Sequence, residues 1–328
     1  MKYRFINIIR FALLGVVLTL PSQSHAQTTY PVKPVRLLTP FAVGTSLDIN
    51  ARLLGAKLSE QIRQPVIMDN KSGAGGIPTY IALASAKPDG YTAMLGTNAA
   101  LISKHLQPSA PFDPIADFAP ISQVSTGINV LVVRADSPAR SVEDLVRQAK
   151  ANPGKLNYSS GGIGSPSHLA CSTFQMVAEI QTTHIPFKGG GEFIPSLLRS
   201  EAEFACPAGS IGMPFIKSGK LRALAISSAA RSNHLPDVST LRDVLKSELL
   251  VQETWTGMWA PARTPPDVIR VLHGAIVKVM ADSTLRQQFE AGGVTPVASN
   301  SPEEFGAYFR RENDKWREIV KISGAKVD

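Results

Sequence analysis

The chain has very little cysteine, with only Cys171 and Cys206 in 328 residues. Two thiols cannot build a metal site without helpers, and His105, His184, His234 and His273 show no ligand spacing with each other or with the cysteines. No metal or other cofactor is therefore expected. Long hydrophobic runs are also missing. After residue 26 no segment reaches the about 18 consecutive apolar residues of a membrane span, so the mature chain is expected to be soluble. A strong charge of one sign is lacking too, and the basic residues are scattered among acidic ones rather than gathered in a stripe, which argues against nucleic acid as a partner. Two active-site motifs are absent as well. There is no GxSxG elbow, and the glycine-rich Ser72-Gly73-Ala74-Gly75-Gly76 lacks both the Lys-Ser/Thr ending of a P-loop and full GxGxxG spacing.

What is present begins with an export signal. Lys2, Arg4 and Arg10 supply a positive n-region, Phe11 to Leu20 an apolar core, and Ser24-His25-Ala26 small residues for cleavage after Ala26. That apolar run is about half the roughly 20 residues needed to cross a bilayer, so residues 1–26 read as a leader rather than an anchor. Its removal takes three of the 34 basic residues, leaving 31 against 26 acidic ones and a net charge near +5. An exported protein permits a disulfide. For Cys171 and Cys206 the residues leave open one intradomain bond or two buried thiols, since bonding needs Cα atoms within about 7 Å.

Roughly 300 mature residues exceed what one core usually organises, and two domains are expected. Short β-rich runs alternate with helical patterns, the signature of α/β layers with largely parallel sheets. Strands are predicted at 35–39, 66–68 and 91–95, with helices over 49–62 and 77–86 between them. A second series starts near Ile128, with strands at 130–133, 156–160, 183–187, 203–206 and 221–227. Ser141 and Asp144 resemble a capping box ahead of its first helix. In the last third, Trp255 to Ala260 reads as a strand, while Pro265-Pro266-Asp267 and Pro302-Glu303-Glu304 open helices. Helices without paired strands need a sheet to cover. The last third is therefore expected to return to the first domain, giving lobe 1 from 27–126 plus 251–328, lobe 2 from 127–250, and a hinge of two crossovers near 126 and 250.

Three loops each follow a predicted strand, are rich in Gly or Ser, and open a helix: 40–48, 159–168 and 187–191. A helix start offers unpaired N–H groups and partial positive charge, glycine lets the backbone approach, and hydroxyls add donors. Together they read as an anion clamp with a part in each domain. Asp48 reads equally as a first-turn acid favoured by the helix dipole or as an acceptor for a ligand group. A hydrolase would need Ser165 or Ser167 with His168, or Cys171, as nucleophile and base, but adjacency along the chain says little about such geometry. His168 at a helix start reads as a cap or packing residue, and no catalysis is expected.

Ordered motifs across the whole mature chain resemble the Bug family, the extracytoplasmic solute-binding receptors of tripartite tricarboxylate transporters. They include Tyr30-Pro31-Val32-Lys33-Pro34-Val35-Arg36, Pro40-Phe41 through Arg52, Gly73-Ala74-Gly75-Gly76, and Lys87-Pro88-Asp89-Gly90-Tyr91-Thr92. Tyr158-Ser159-Ser160-Gly161 through Ala170, Pro186-Phe187-Lys188-Gly189 and Trp255 to Pro261 extend the likeness. The resemblance implies two Rossmann-like α/β lobes joined by a hinge, the type II periplasmic binding protein or Venus flytrap fold. It also implies a monomer that captures a small mono- or dicarboxylate, aliphatic or aromatic, for membrane transporter subunits. Carried over residue by residue, it implies ligand contacts from Phe41, Ala42, Gly44, Thr45, Ser46 and Asp48, with Thr97 and Asn98 nearby. From lobe 2 it implies Ser160, Gly164, Ser165, His168, Lys188 and Gly189. Two positions depart from the pattern: Thr45 stands where the family carries a second glycine, and Pro207 where it carries an Asp. They keep a receptor-like scaffold with a decayed site in view, beside the hydrolase.

Overall fold

The computed structural model of the protein describes residues 30–187 and 190–325. The expected leader, and Lys188 and Gly189 of the third loop, lie outside the described residues.

The opening series runs β1 (Val35–Thr39), α1 (Ser46–Ile62), β2 (Val66–Asn70), α2 (Ile77–Ala84), β3 (Thr92–Thr97) and α3 (Ala99–Leu106). After α4 (Pro114–Asp117), the long β4 (Phe118–Gly127) leads into a second series. That series is β5 (Val130–Arg134), α5 (Val142–Ala151), β6 (Asn157–Ser160), α6 (Pro166–Val177), β7 (Thr183–Pro186), α7 (Gly190–Leu198), β8 (Phe204–Ala205), α8 (Gly209–Lys217), β9 (Leu221–Ile226) and α9 (Leu241–Leu245). The chain then returns through β10 (Thr254–Pro261), α10 (Pro266–Met280), α11 (Ser283–Ala291), β11 (Thr295–Pro296) and α12 (Pro302–Ser323).

These strands make two sheets, ordered β11-β4-β10-β3-β1-β2 and β7-β6-β8-β5-β9. Neither is as parallel as the alternation of elements suggests. β2, β1 and β3 are parallel, but β10 runs antiparallel to both β3 and β4, and β5 antiparallel to both β8 and β9. The reason lies in the connections: β4 and β10 carry the chain out of and back into the first sheet, so they enter it with opposite senses. Gly127 at the end of β4 pairs with Thr254 at the start of β10, which sets the two crossovers side by side. Asn129 Nδ2 donates to the Gln252 carbonyl at 2.7 Å and Ser227 Oγ to the same carbonyl at 2.8 Å, tying the crossovers to β9.

Each sheet is covered on both faces, because alternate residues of its central strands point to different cores. Leu37 joins Leu54, Leu58, Leu272 and Ile276 of α1 and α10, while Leu38 joins Tyr80, Leu101, Trp259 and Phe305 on the other side. In β5, Leu131 and Val133 pack with Leu145 and Phe174, while Val130 and Val132 pack with Phe193 and Leu197. The long α12 is fixed by a buried carboxylate. Glu312 accepts from Trp255 Nε1 at 2.8 Å and Trp316 Nε1 at 2.9 Å and pairs with Lys315, so no charge is left uncompensated there.

One device starts three helices. Thr45, Ser141 and Ser301 accept from the N–H three residues on, at 3.3, 3.1 and 3.1 Å. The acids at those positions, Asp48, Asp144 and Glu304, accept from Gly44, Arg140 and Asn300, at 2.9, 3.0 and 2.7 Å. Ser141 and Asp144 thus differ from the usual box, since the reciprocal bond reaches the residue before the cap.

Candidate functional site

A cleft of about 530 Å³ lies beyond the carboxyl ends of β1, β3 and β6, bordered on one side by residues 40–107 and on the other by 161–166. Of the residues expected to bind ligand, Phe41, Thr97, Gly164 and Ser165 line it. The sides meet at Gly164, where a methyl group would come 2.3 Å from Leu106 Cδ1. A side chain there would have to displace the end of Leu106, and the φ of +75° independently favours glycine.

Other expected residues hold the loops rather than line the cleft. Asp48 is 1% exposed, and its carboxylate accepts from Gly44 N, from Arg52 Nε at 2.9 Å and from Asn70 Nδ2 at 2.8 Å. Burial pushes this carboxyl up, but the bonds from Arg52, Gly44 and Asn70, with the Arg52 charge, outweigh it and keep the group below its ordinary range. Of the two readings of Asp48, the geometry favours the bracing one. Asn70 Nδ2 also reaches Thr39 Oγ1 and the Phe41 carbonyl, both at 3.0 Å, so the loop after β1 is tied to β2. Thr45 engages its hydroxyl on the Ala42 carbonyl at 2.8 Å while capping α1. Ala42, Gly44 and Thr45 are exposed at the outer part of that loop, and Ser46 opens the helix. Asn98 is buried and donates to the Glu253 carbonyl at 3.3 Å, beside the crossovers.

In the loop after β6, Ser160 is fully buried and bonds His184 Nε2 at 2.6 Å. His168 Nδ1 accepts from Gly164 N at 3.1 Å, and its ring stacks on His184 with centroids 4.2 Å apart. Burial, with a smaller contribution from His184, pushes the imidazole of His168 down to about 4. It is therefore neutral, with its proton on Nε2. Ser165 donates to the Gly162 carbonyl at 2.7 Å and accepts from the backbone N–H of His168, not from its ring. Cys171 is joined to Cys206 in a disulfide, with Cα atoms 5.6 Å apart. These contacts engage the Ser165, His168 and Cys171 groups that a hydrolase would need free.

The sequence reading missed the inner wall of the cleft. Gly73, Gly75 and Gly76 follow β2, and Tyr80, Ile102, Ser103, Leu106 and Gln107 come from α2 and α3 and the residue after it. The signal available was the glycine cluster, whose φ values of 102°, 65° and 89° make a turn that other residues rarely adopt. Among the described residues lining the cleft, none is charged.

Two mixed α/β sheets, joined by paired crossovers and flanking a cleft lined by strand-to-helix loops, define a solute-binding protein. The solved periplasmic binding protein BugD has this architecture, with a TM-score of 0.76 and 29% identity over 90% of this chain and 99% of that one. The family model TctC, tripartite tricarboxylate transporter family receptor, matches residues 50–324, and the chain belongs to that family. Protein BugT of Bordetella pertussis is 33% identical over 91% of this chain and 92% of its own length. R. palustris Rpa4515, solved with adipate, gives a TM-score of 0.79 at 27% identity, covering 91% of this chain and 100% of that one.

Proposed function

We propose that the protein is exported, loses residues 1–26, and works in the periplasm as a monomeric receptor that captures a small carboxylate. Lobe 1, residues 27–126 with 251–328, and lobe 2, residues 127–250, close on the ligand and present it to membrane subunits of a tripartite tricarboxylate transporter. Catalysis has no part in this function. The observation that carries the reading is the uncharged cleft at the carboxyl ends of β1, β3 and β6, between loops that open α1 and α6. Backbone N–H groups and the hydroxyl of Thr97, which accepts from Ala99 N and keeps its own proton free, are donors there, and a single carboxylate can be bound by such dipoles without an arginine. The adipate held by Rpa4515, a protein of the same fold, supports carboxylates as the ligand class.

The test is a thermal-shift screen of the mature protein against aliphatic and aromatic mono- and dicarboxylates. A ligand at one hundred times its dissociation constant stabilises the folded state by about 2.7 kcal/mol, a readily measured rise in Tm. No rise with any acid would sink the receptor reading and favour a scaffold with a decayed site.

A further inference from the structure

Tyr80, Thr97, Ser103, Gln107 and Ser165 are the polar side chains among the described residues lining the cleft. Three of them have no donor to spare. The Tyr80 hydroxyl is sealed behind the Gly76 backbone, Ser103 Oγ donates to the Gly75 carbonyl at 2.9 Å, and Ser165 Oγ donates to the Gly162 carbonyl at 2.7 Å. Thr97 keeps its proton free, because its hydroxyl accepts from Ala99 N. The Gln107 carboxamide is the other free group, and no described residue hydrogen-bonds it. Its backbone N–H donates to the Ser103 carbonyl at 2.9 Å and its carbonyl accepts from Ala110 N at 3.0 Å, so the side chain is what residue 107 offers the cleft.

These two groups stand at opposite ends of one wall. Ala99, Ile102, Ser103, Leu106 and Gln107 recur at the spacing of a single helical face, so α3 lies along the cleft from its first turn to its last. Thr97 sits at the start of that face and Gln107 just past its end, about 12 Å further on, the rise of eight helical residues. Ile102 and Leu106 make the stretch between them apolar, and Ile163 adds an apolar side chain from the opposite side. A carboxylate held near Thr97 thus extends its chain past apolar groups toward a carboxamide that can both donate and accept.

We infer that Gln107 is a specificity-determining residue that hydrogen-bonds an oxygen at the far end of the ligand, which makes the preferred ligand a linear acid with an apolar middle and a second oxygen function rather than a plain fatty acid. This deepens the receptor reading and rests on it. Taking about 3 Å for a hydrogen bond at each end of the wall leaves roughly 6 Å, an extended chain of about six carbons. A plain chain of that length would take water from the carboxamide and leave it without a partner, whereas a terminal hydroxyl satisfies both its donor and its acceptor.

The experiment compares hexanoate, 6-hydroxyhexanoate and adipate, by calorimetry and thermal shift, on the mature wild type, Gln107→Leu and Gln107→Glu. The wild type should bind 6-hydroxyhexanoate about three- to tenfold more tightly than hexanoate, the size of one neutral hydrogen bond. In Gln107→Leu that ratio should fall to near one, with hexanoate bound at least as well as by the wild type. Gln107→Glu should keep the preference for the hydroxy acid, whose hydroxyl can donate to a carboxylate, and should weaken adipate more than either other acid, because two like charges then meet. Both variants without ligand should melt close to the wild type, since the carboxamide has no partner to lose, and this shows that they fold. A hydroxy-acid preference unchanged in Gln107→Leu, a wild-type preference for hexanoate, or binding of other acids of the screen but none of these three overturns the assignment while leaving the receptor reading standing. If no acid at all raises Tm, both fall.

Discussion

At the scale of single residues, the loop after β6 depends on an imidazole that must stay neutral. Protonating His168 at Nδ1 would remove the lone pair that accepts from Gly164 and place a charge in a stack with His184 and Tyr158. Its value in the folded protein is about 4 against the ordinary 6.5, so between these pH values the unfolded chain binds more protons than the folded one. Stability then rises with pH through this window, is fully present above about 6.5, and is lost as pH falls toward 4. One pKa unit corresponds to about 1.4 kcal/mol, which puts the whole effect on the order of 3 kcal/mol. Urea midpoints measured from pH 7 to 4.5 should fall steeply in the wild type. They should fall less in His168→Asn, whose amide oxygen can accept from Gly164 without titrating. Some slope should remain, because burial also holds His184 below its ordinary value. Equal slopes in the two proteins would show that His168 is not the group responsible.

At the scale of elements, the disulfide links α6 to the residue after β8 and closes a loop with a sequence separation of 35. Because both cysteines are buried, alanine is the fitting replacement. Constraining a loop of this length in the unfolded chain contributes about 3–4 kcal/mol, so the double variant Cys171→Ala, Cys206→Ala should melt roughly 5–10 °C lower in scanning calorimetry. An unchanged Tm would deny the bond any stabilising role. The same scale shows what was legible beforehand. Val35 to Thr39 and the helix starts at Ser141 and Pro302 could be read because a short β-rich run, capping and proline in a first turn are local patterns. β4 is not marked by a local pattern, because Pro120, Ser122, Gln123, Ser125 and Thr126 interrupt its apolar alternation, and these residues are covered by β10, β11 and Ser299, all far away in sequence. Antiparallel pairing was equally hidden, since strand direction depends on which sheet a connection enters. In the site, the loops were legible as glycine-rich turns, but the roles of Asp48 and His168 depend also on Asn70 and His184, partners 22 and 16 residues away that no local pattern reveals, with only Arg52 of the Asp48 partners one helical turn on.

At the scale of the whole molecule, the two sides of the cleft are connected through the paired crossovers, and in the described conformation they touch at Gly164 and Leu106. If the lobes close on a ligand, this contact is one that closure must make, and a side chain there acts as a wedge. Gly164→Ala places a methyl group 2.3 Å from Leu106 Cδ1 at a backbone angle that alanine tolerates poorly. Overpacking of this kind costs about 1–3 kcal/mol, and if the lobes part without ligand this steric part is expected to weigh on the closed form alone. The variant should therefore bind the best carboxylate of the screen five- to a hundredfold more weakly. Its ligand-free Tm should fall by only a few degrees, from the backbone strain at φ +75° that is present with or without ligand. Small-angle scattering adds the decisive contrast: the wild-type radius of gyration should shrink when ligand is added, and that of Gly164→Ala should stay larger at the same ligand concentration. A wild-type radius that does not respond to a ligand that raises Tm would mean the cleft binds without hinge motion. In that case the wedge would have nothing to obstruct, and the crossovers at Gly127 and Thr254 would serve as a rigid joint.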